Sequence, residues 1–208
     1  MNLYLINGEE NEEKTKFAAL LADKLSQDKK TLIIATQRSE IFNIEDYYKK
    51  DGMITYDICD YFLGYVDIDT IINKAYDKLD FIISPLVNGK YQIEKKDIDK
   101  LLGELSYDFL VFEDLDESFL DQKIIIDIIS EDNLEDDLKG DYYFINKASA
   151  NFDQRLYKDL LLAKKGKYLG FVNENGSYNN ILDNLLNDRA EEIPNIGFFE
   201  KLKMKFKS

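Results

Sequence analysis

"LINGEENEEKTKFAALLADKLSQDKKTLII", residues 5–34, begins in an apolar run, passes through a polar stretch with one glycine and four glutamates, and continues into an amphipathic pattern before a second apolar run. Phe17, Leu20, Leu21, Ala22 and Leu25 recur at helical spacing, and the flanking runs Leu3–Ile6 and Thr31–Ala35 are short, continuous and rich in β-branched residues. Strand, loop, helix and strand in that order predict a βαβ unit with its strands buried on both faces.

The same alternation continues down the chain. Further strands are expected at Phe81–Ile83, Phe109–Phe112, Ile124–Ile129, Tyr142–Ile145 and Tyr168–Val172. Helical stripes are expected at Ile68, Ile71, Ile72 and Ala75; at Ile98, Leu101, Leu102 and Leu105; at Leu156, Leu160, Leu161 and Ala163; and at Ile181, Leu182, Leu185 and Leu186. Seven strands interleaved with helices predict an α/β, doubly wound, mainly parallel sheet. The chain has 208 residues, two prolines and no Ser/Gly-rich tract, so one domain over residues 1–190 is expected.

Composition excludes several functions. There is no histidine, and Cys59 is the only cysteine, so no disulfide forms within the chain and no ordinary zinc or haem ligand set exists. Asp67-Ile68-Asp69, Asp114-Leu115-Asp116 and Glu135-Asp136-Asp137 lack the spacing of a calcium loop. A formal charge of -14 argues against nucleic acid as partner. No transmembrane run and no signal peptide are seen, so a cytoplasmic protein, at most peripheral to a membrane, is expected.

Lys14-Thr15 at the start of a helix, after a strand and a loop, is the skeleton of a phosphate-binding loop, in which backbone N–H groups and lysine hold phosphate and the hydroxyl holds Mg²⁺. With "IDKLLGELSYDFLVFED", "YYFINKAS" and "YLGFVNENGSYNNIL" following in order, the chain resembles the MinD/ParA family of deviant Walker ATPases, and most of all its MinD branch. The resemblance runs nearly the whole length and implies a P-loop NTPase-like fold. It places a nucleotide site at Gly8, Glu9, Glu10, Glu12, Glu13, Lys14, Thr15, Glu113 and Asn146, with Glu113 or, one residue on, Asp114 as the Walker B acid and Asn146 as the base-recognition residue.

That site is degenerate. The family loop G-K-G-G-x-G-K-T is here Gly8-Glu9-Glu10-Asn11-Glu12-Glu13-Lys14-Thr15, and the two family aspartates after the second strand fall at Ala35 and Gln37. Side-chained residues in left-handed loop positions cost about 1–2 kcal/mol each. A glutamate about 5 Å from a phosphate charge costs roughly 3 kcal/mol at an effective dielectric near 20. The resemblance with these losses implies a pseudo-ATPase without cofactor, its glutamates satisfying the helix N-terminus in place of phosphate. The alternatives are a weak ATPase using ATP, Mg²⁺, Lys14, Thr15 and Glu113, and a localisation factor for pilus or flagellar assembly.

Residues 198–208, "FFEKLKMKFKS", hold an excess of three positive charges in an otherwise acidic chain. At about 100° per residue, Phe198, Phe199, Leu202 and Phe206 share one arc flanked by Lys201, Lys203, Lys205 and Lys207, the pattern of an interfacial helix on anionic lipid. The family ends in a similar membrane-targeting helix, and residues 191–197 then read as its linker. A short strand, from the apolar–lysine alternation of 202–207, and a helix packed on its own domain are the other readings. The expected partners are a second copy or an active paralogue, and the inner face of the cell membrane.

Overall fold

A computed structural model describes residues 1–8, 12–50, 52 and 54–197. The chain's contacts gather into two compact units, residues 1–128 and 129–208. The division falls at the end of a strand, where the sequence carries no proline or glycine that would mark it.

In the first unit, β1 (Asn2–Gly8), α1 (Glu12–Leu25) and β2 (Thr31–Ala35) form the expected opening. Short helices α2 (Ile44–Tyr47), α3 (Ile58–Phe62) and α4 (Ile68–Ile71) precede the hairpin β3 (Asn73–Tyr76) and β4 (Leu79–Ile82); α5 (Lys95–Glu104), β5 (Phe109–Glu113) and β6 (Ile124–Ile129) complete the set. The strand order is β3-β4-β2-β5-β1-β6, parallel except for β3. Because β1, β5 and β2 run in register, Glu113 lies opposite Ile6 on one side and Ala35 on the other. Their carboxyl ends therefore open together, the place where open α/β sheets bind ligands.

Both faces of this sheet are buried, which explains the continuous apolar runs. Leu5, Leu32, Ile34, Leu110 and Phe112 pack with Ile58 and Cys59 of α3 and Ile98 and Leu101 of α5. Phe17, Ala18, Leu21 and Ala22 of α1 are fully buried, and α1 packs on β5.

Two helical stripes are corrected. The stripe from Ile68 to Ala75 is helical only to Ile71; Ile72 is already extended, the Asn73 side chain caps the Ile71 carbonyl at 3.0 Å, and Ala75 lies on the antiparallel edge strand β3. Pairing with β4 through a two-residue turn outweighs the helical periodicity. The stripe from Leu156 to Ala163 is split between a 3₁₀ turn, Gln154–Tyr157, and α6 (Lys158–Ala163), so Leu161 is buried while Leu156 is 55% exposed.

The second unit pairs β7 (Tyr142–Ala148) in parallel with β8 (Lys167–Asn173), with α7 (Asn179–Leu186) against β8. This makes eight strands among the described residues, where about seven were expected. Tyr143, Ile145, Leu161, Tyr168 and Ile193 form its core. Within residues 191–197, expected as a linker, Glu191 N–H donates to the Tyr168 carbonyl at 2.7 Å, Ile193 is buried, and the Lys158 ammonium donates to the Ile193 carbonyl and the Asn195 side chain. No helix among the described residues is long and apolar enough to cross a membrane.

Candidate functional site

α1 begins at Glu12, four residues after Gly8 ends β1, so its first turn carries Lys14 and Thr15 to the carboxyl ends of the strands. Both are buried, at 2% and 1% exposure. The Lys14 ammonium is ion-paired with the Asp114 carboxylate. Thr15 Oγ1 donates a 2.6 Å hydrogen bond to Glu113 Oε1.

Glu113, the last residue of β5, is 3% exposed. Burial pushes its carboxyl up to about 7; the Thr15 hydrogen bond and the Lys14 charge pull it down, while Asp114 and Glu45 push it further up. Asp114 follows in a left-handed backbone, φ 60°. That conformation is fixed from both sides, since its carbonyl accepts from Thr36 Oγ1 at 2.6 Å and Gln37 Nε2 at 3.0 Å while Lys14 holds its carboxylate. The Thr36 N–H binds the Glu113 carbonyl at 3.2 Å, which ties the end of β2 to the same point.

Glu45 completes the cluster. The Asn43–Asp46 capping box starts α2 and places Glu45 at 5% exposure, where Oε1 accepts from Arg38 at 2.8 Å and Oε2 has no hydrogen-bond partner. Glu45, Arg38 and Thr36 were not anticipated, because chain folding alone brings them here. The adjacent acids Glu113-Asp114 at a strand end were the one available signal for Asp114.

Of the expected site residues, Lys14, Thr15 and Glu113 are brought together. Gly8 belongs to β1, and a Cβ there would lie 3.1 Å from both Cβ and the carbonyl oxygen of Ile128, so close packing on β6 requires a glycine without any phosphate. Glu13 pairs with Lys16 at 3.3 Å. Glu12 opens α1, its side chain undescribed; Glu9 and Glu10 lie outside the described residues, as do Phe198, Phe199, Lys201, Leu202, Lys203, Lys205, Phe206 and Lys207 of the tail. Asn146 belongs to the second unit, where it is 7% exposed and its Oδ1 accepts from the Tyr178 hydroxyl of the turn before α7 at 2.9 Å.

Chemically, this is a lysine and a hydroxyl already matched to two carboxyl groups. A phosphate at Lys14 would compete with the Asp114 carboxylate for the same ammonium. A divalent cation at Thr15 would meet a Glu113 carboxyl that burial makes harder to ionise. Among the described residues no group of three or more acidic or cysteine side chains could hold a metal ion.

No protein-family model matches the chain, and no curated protein matches its sequence. Solved structures do match its fold. A plasmid partition protein from Borrelia burgdorferi B31, bound to AMPPNP, superposes with a TM-score of 0.66 at 18% identity, over 90% of this chain and 98% of that one. MinD in the MinC:MinD cell-division complex of Aquifex aeolicus gives 0.64 at 14% identity over 90% and 89%, and MinD with Mg-ADP from Pyrococcus horikoshii gives 0.64 at 15% over 84% and 82%. The chain therefore has the fold of the MinD cell-division and plasmid-partition proteins.

Proposed function

We propose that the chain is a non-catalytic, MinD-like pseudo-ATPase that works through protein contacts, positioning or regulating cell-division machinery at the inner face of the membrane. The observation that carries this reading is the Lys14–Asp114 pair: the one lysine retained in the loop, itself buried, is paired internally with a carboxylate. Support comes also from Glu9 in place of a lysine and Glu10, Asn11 and Glu13 in place of glycines that would cradle phosphate, and from Ala35 and Gln37 in place of aspartates. No cofactor is needed for such a role. The basic, aromatic tail supplies the membrane contact, and one such helix binds weakly, so a protein partner or a second copy helps retain it.

Two measurements test this. Titration calorimetry with Mg·ATP should show no micromolar binding, and liposomes of anionic lipid should float the full chain but not a chain ending at residue 197. Micromolar ATP binding would sink the pseudo-ATPase reading; equal flotation of both chains, or of neither, would sink the membrane role.

A second reading has its own observation. Lys14, Thr15 and Glu113 meet at one strand end, as a weak ATPase would require. ATP hydrolysis that disappears in Lys14→Ala would establish it.

A further inference from the structure

Asparagine stands before glycine three times in the chain, at Asn7-Gly8, Asn88-Gly89 and Asn175-Gly176. At such a step the glycine nitrogen is one ring closure away from the asparagine side-chain amide, and no Cβ on the glycine shields it. The sequence treats the three steps alike, and the structure separates them.

Asn7 and Gly8 end β1, in parallel register with Asp127 and Ile128 of β6. Gly8 is packed so closely that a Cβ would stand 3.1 Å from the Ile128 carbonyl oxygen, so ring closure there would have to pull the end of β1 off β6. Asn175 and Gly176 are exposed, yet the Gly176 N–H, on the nitrogen that must react, donates to the Asn173 carbonyl at 2.8 Å.

Asn88 and Gly89 are also exposed, at the tip of the loop after β4, in a turn closed by the Lys90 N–H on the Val87 carbonyl at 3.2 Å. Gly89 has φ 72°, the value of the third position of a type II turn, whose N–H points away from the closing bond. Among the described residues neither the Gly89 N–H nor the Asn88 side chain makes a hydrogen bond.

We infer that Asn88 is a site of spontaneous self-modification, at which the folded chain converts asparagine to aspartate and isoaspartate. This inference is independent of the proposed function.

The chemistry needs only water and a solvent base. The base takes the Gly89 N–H proton, and the nitrogen bonds to Asn88 Cγ. The Cγ–Nδ2 bond breaks, and Nδ2 departs with a returned proton as ammonia, leaving a five-membered succinimide. Water adds to one of its two carbonyls and breaks that carbonyl's bond to the ring nitrogen. Opening at Cγ gives aspartate, and opening at the main-chain carbonyl gives isoaspartate. The sum is amide plus water to carboxylic acid plus ammonia, with nothing oxidised or reduced.

The product falls on a loop pinned at both feet to one oxygen. The Leu86 N–H and the Lys90 ammonium each reach Asp57 Oδ2 at 2.9 Å, and Lys90 also reaches Asp60 at 2.7 Å. Modification adds a negative charge two residues from Lys90, and isoaspartate adds one carbon to the main chain between the two feet.

Peptide mapping by mass spectrometry tests this, following the amide-to-acid change at the three steps in the full chain at mildly alkaline pH, folded and in urea. In urea the three should react at similar rates. In the folded chain Asn88 should lead Asn175 by about 3- to 10-fold, the factor for opening one ordinary hydrogen bond, while Asn7 stays unchanged over the same period. Hydroxylamine, which cleaves a chain at a succinimide, should cut the folded protein into residues 1–88 and 89–208 and leave that bond whole in Asn88→Gln, whose longer side chain does not close the five-membered ring. Asn7 or Asn175 reacting as fast as Asn88 in the folded chain would overturn the inference. So would an unchanged Asn88 in a folded sample whose urea counterpart reacts, or the same cleavage in Asn88→Gln.

Discussion

The Lys14 ammonium and the Asp114 carboxylate, one hundred residues apart in sequence, form an ion pair in which the lysine side chain is 3% and the aspartate 22% exposed. The pair is built on a left-handed aspartate, a conformation that costs an ordinary L-residue about 1–2 kcal/mol and that asparagine tolerates better than alanine. Asp114→Asn keeps the backbone and an acceptor but removes the carboxylate charge from the pair with the buried ammonium. Urea unfolding should show a loss of about 1–3 kcal/mol for Asn, and a larger one for Asp114→Ala, which adds the backbone strain. A chain indifferent to both would mean that the pair contributes nothing to stability.

Glu113 makes the first unit sensitive to pH. Its carboxyl sits at about 7 in the folded chain, chiefly through burial, against an ordinary value of 4.5. The folded state therefore binds this proton more tightly than the unfolded state. The associated stability is fully present below pH 4.5 and is lost as pH rises through about 7, by at most about 3 kcal/mol. Glu113→Gln keeps an acceptor for the Thr15 hydroxyl and removes the titration. Chemical denaturation between pH 5 and 8 should show the variant gaining on the parent protein as pH rises; a constant difference would mean that Glu113 titrates normally.

Much of this architecture is readable along the chain, because strands buried on both faces leave uninterrupted apolar runs such as Leu32–Ala35 and Phe109–Phe112. Edge strand β3 is not readable that way. Half-exposed Asn73–Tyr76 lacks an apolar run, and the preceding isoleucines supply a helical rhythm that stops at Ile71. At the site, Lys14, Thr15 and Glu113 were legible because local motifs carry them. Glu45, Arg38 and Thr36 reach the same point only through the crossing of α2 and the register of β2 with β5, which no local pattern encodes. Gly8 shows a subtler limit: a loop-glycine motif and a close strand contact call for the same residue.

Asp57 holds together the segment between α2 and α5. Fully buried, it accepts from the N–H groups of Cys59, Asp60 and Leu86 at 2.8, 3.2 and 2.9 Å, and from the Lys90 ammonium at 2.9 Å. Lys90 also reaches Asp60 at 2.7 Å. Asp57→Ala removes the side-chain acceptor of the Cys59, Asp60 and Leu86 N–H groups and one of the two carboxylates that Lys90 meets, and should cost about 3–5 kcal/mol. Lys90→Met should cost distinctly less, since the carboxylate keeps its three N–H donors and the lysine is 24% exposed. Thermal denaturation ranks the two, and a larger effect at Lys90 would reverse the assignment of Asp57 as the hub.

Two glycines should respond to alanine with opposite sign. A Cβ at Gly166, before β8, would stand 2.6 Å from the Gly140 carbonyl oxygen and 3.3 Å from the Asp141 backbone, neither of which can swing aside as a side chain would. Gly166→Ala must therefore push two backbone segments of the second unit apart, at about 1–3 kcal/mol. Gly103, in the last turn of α5, has nothing within 4 Å of the same virtual atom and a backbone that alanine adopts freely. Its replacement restricts the unfolded chain and favours the helix, a gain of about 0.5–1 kcal/mol. Denaturant midpoints measured on the two variants side by side test both signs, and a destabilised Gly103→Ala would show that α5 is held by contacts its open surface does not reveal.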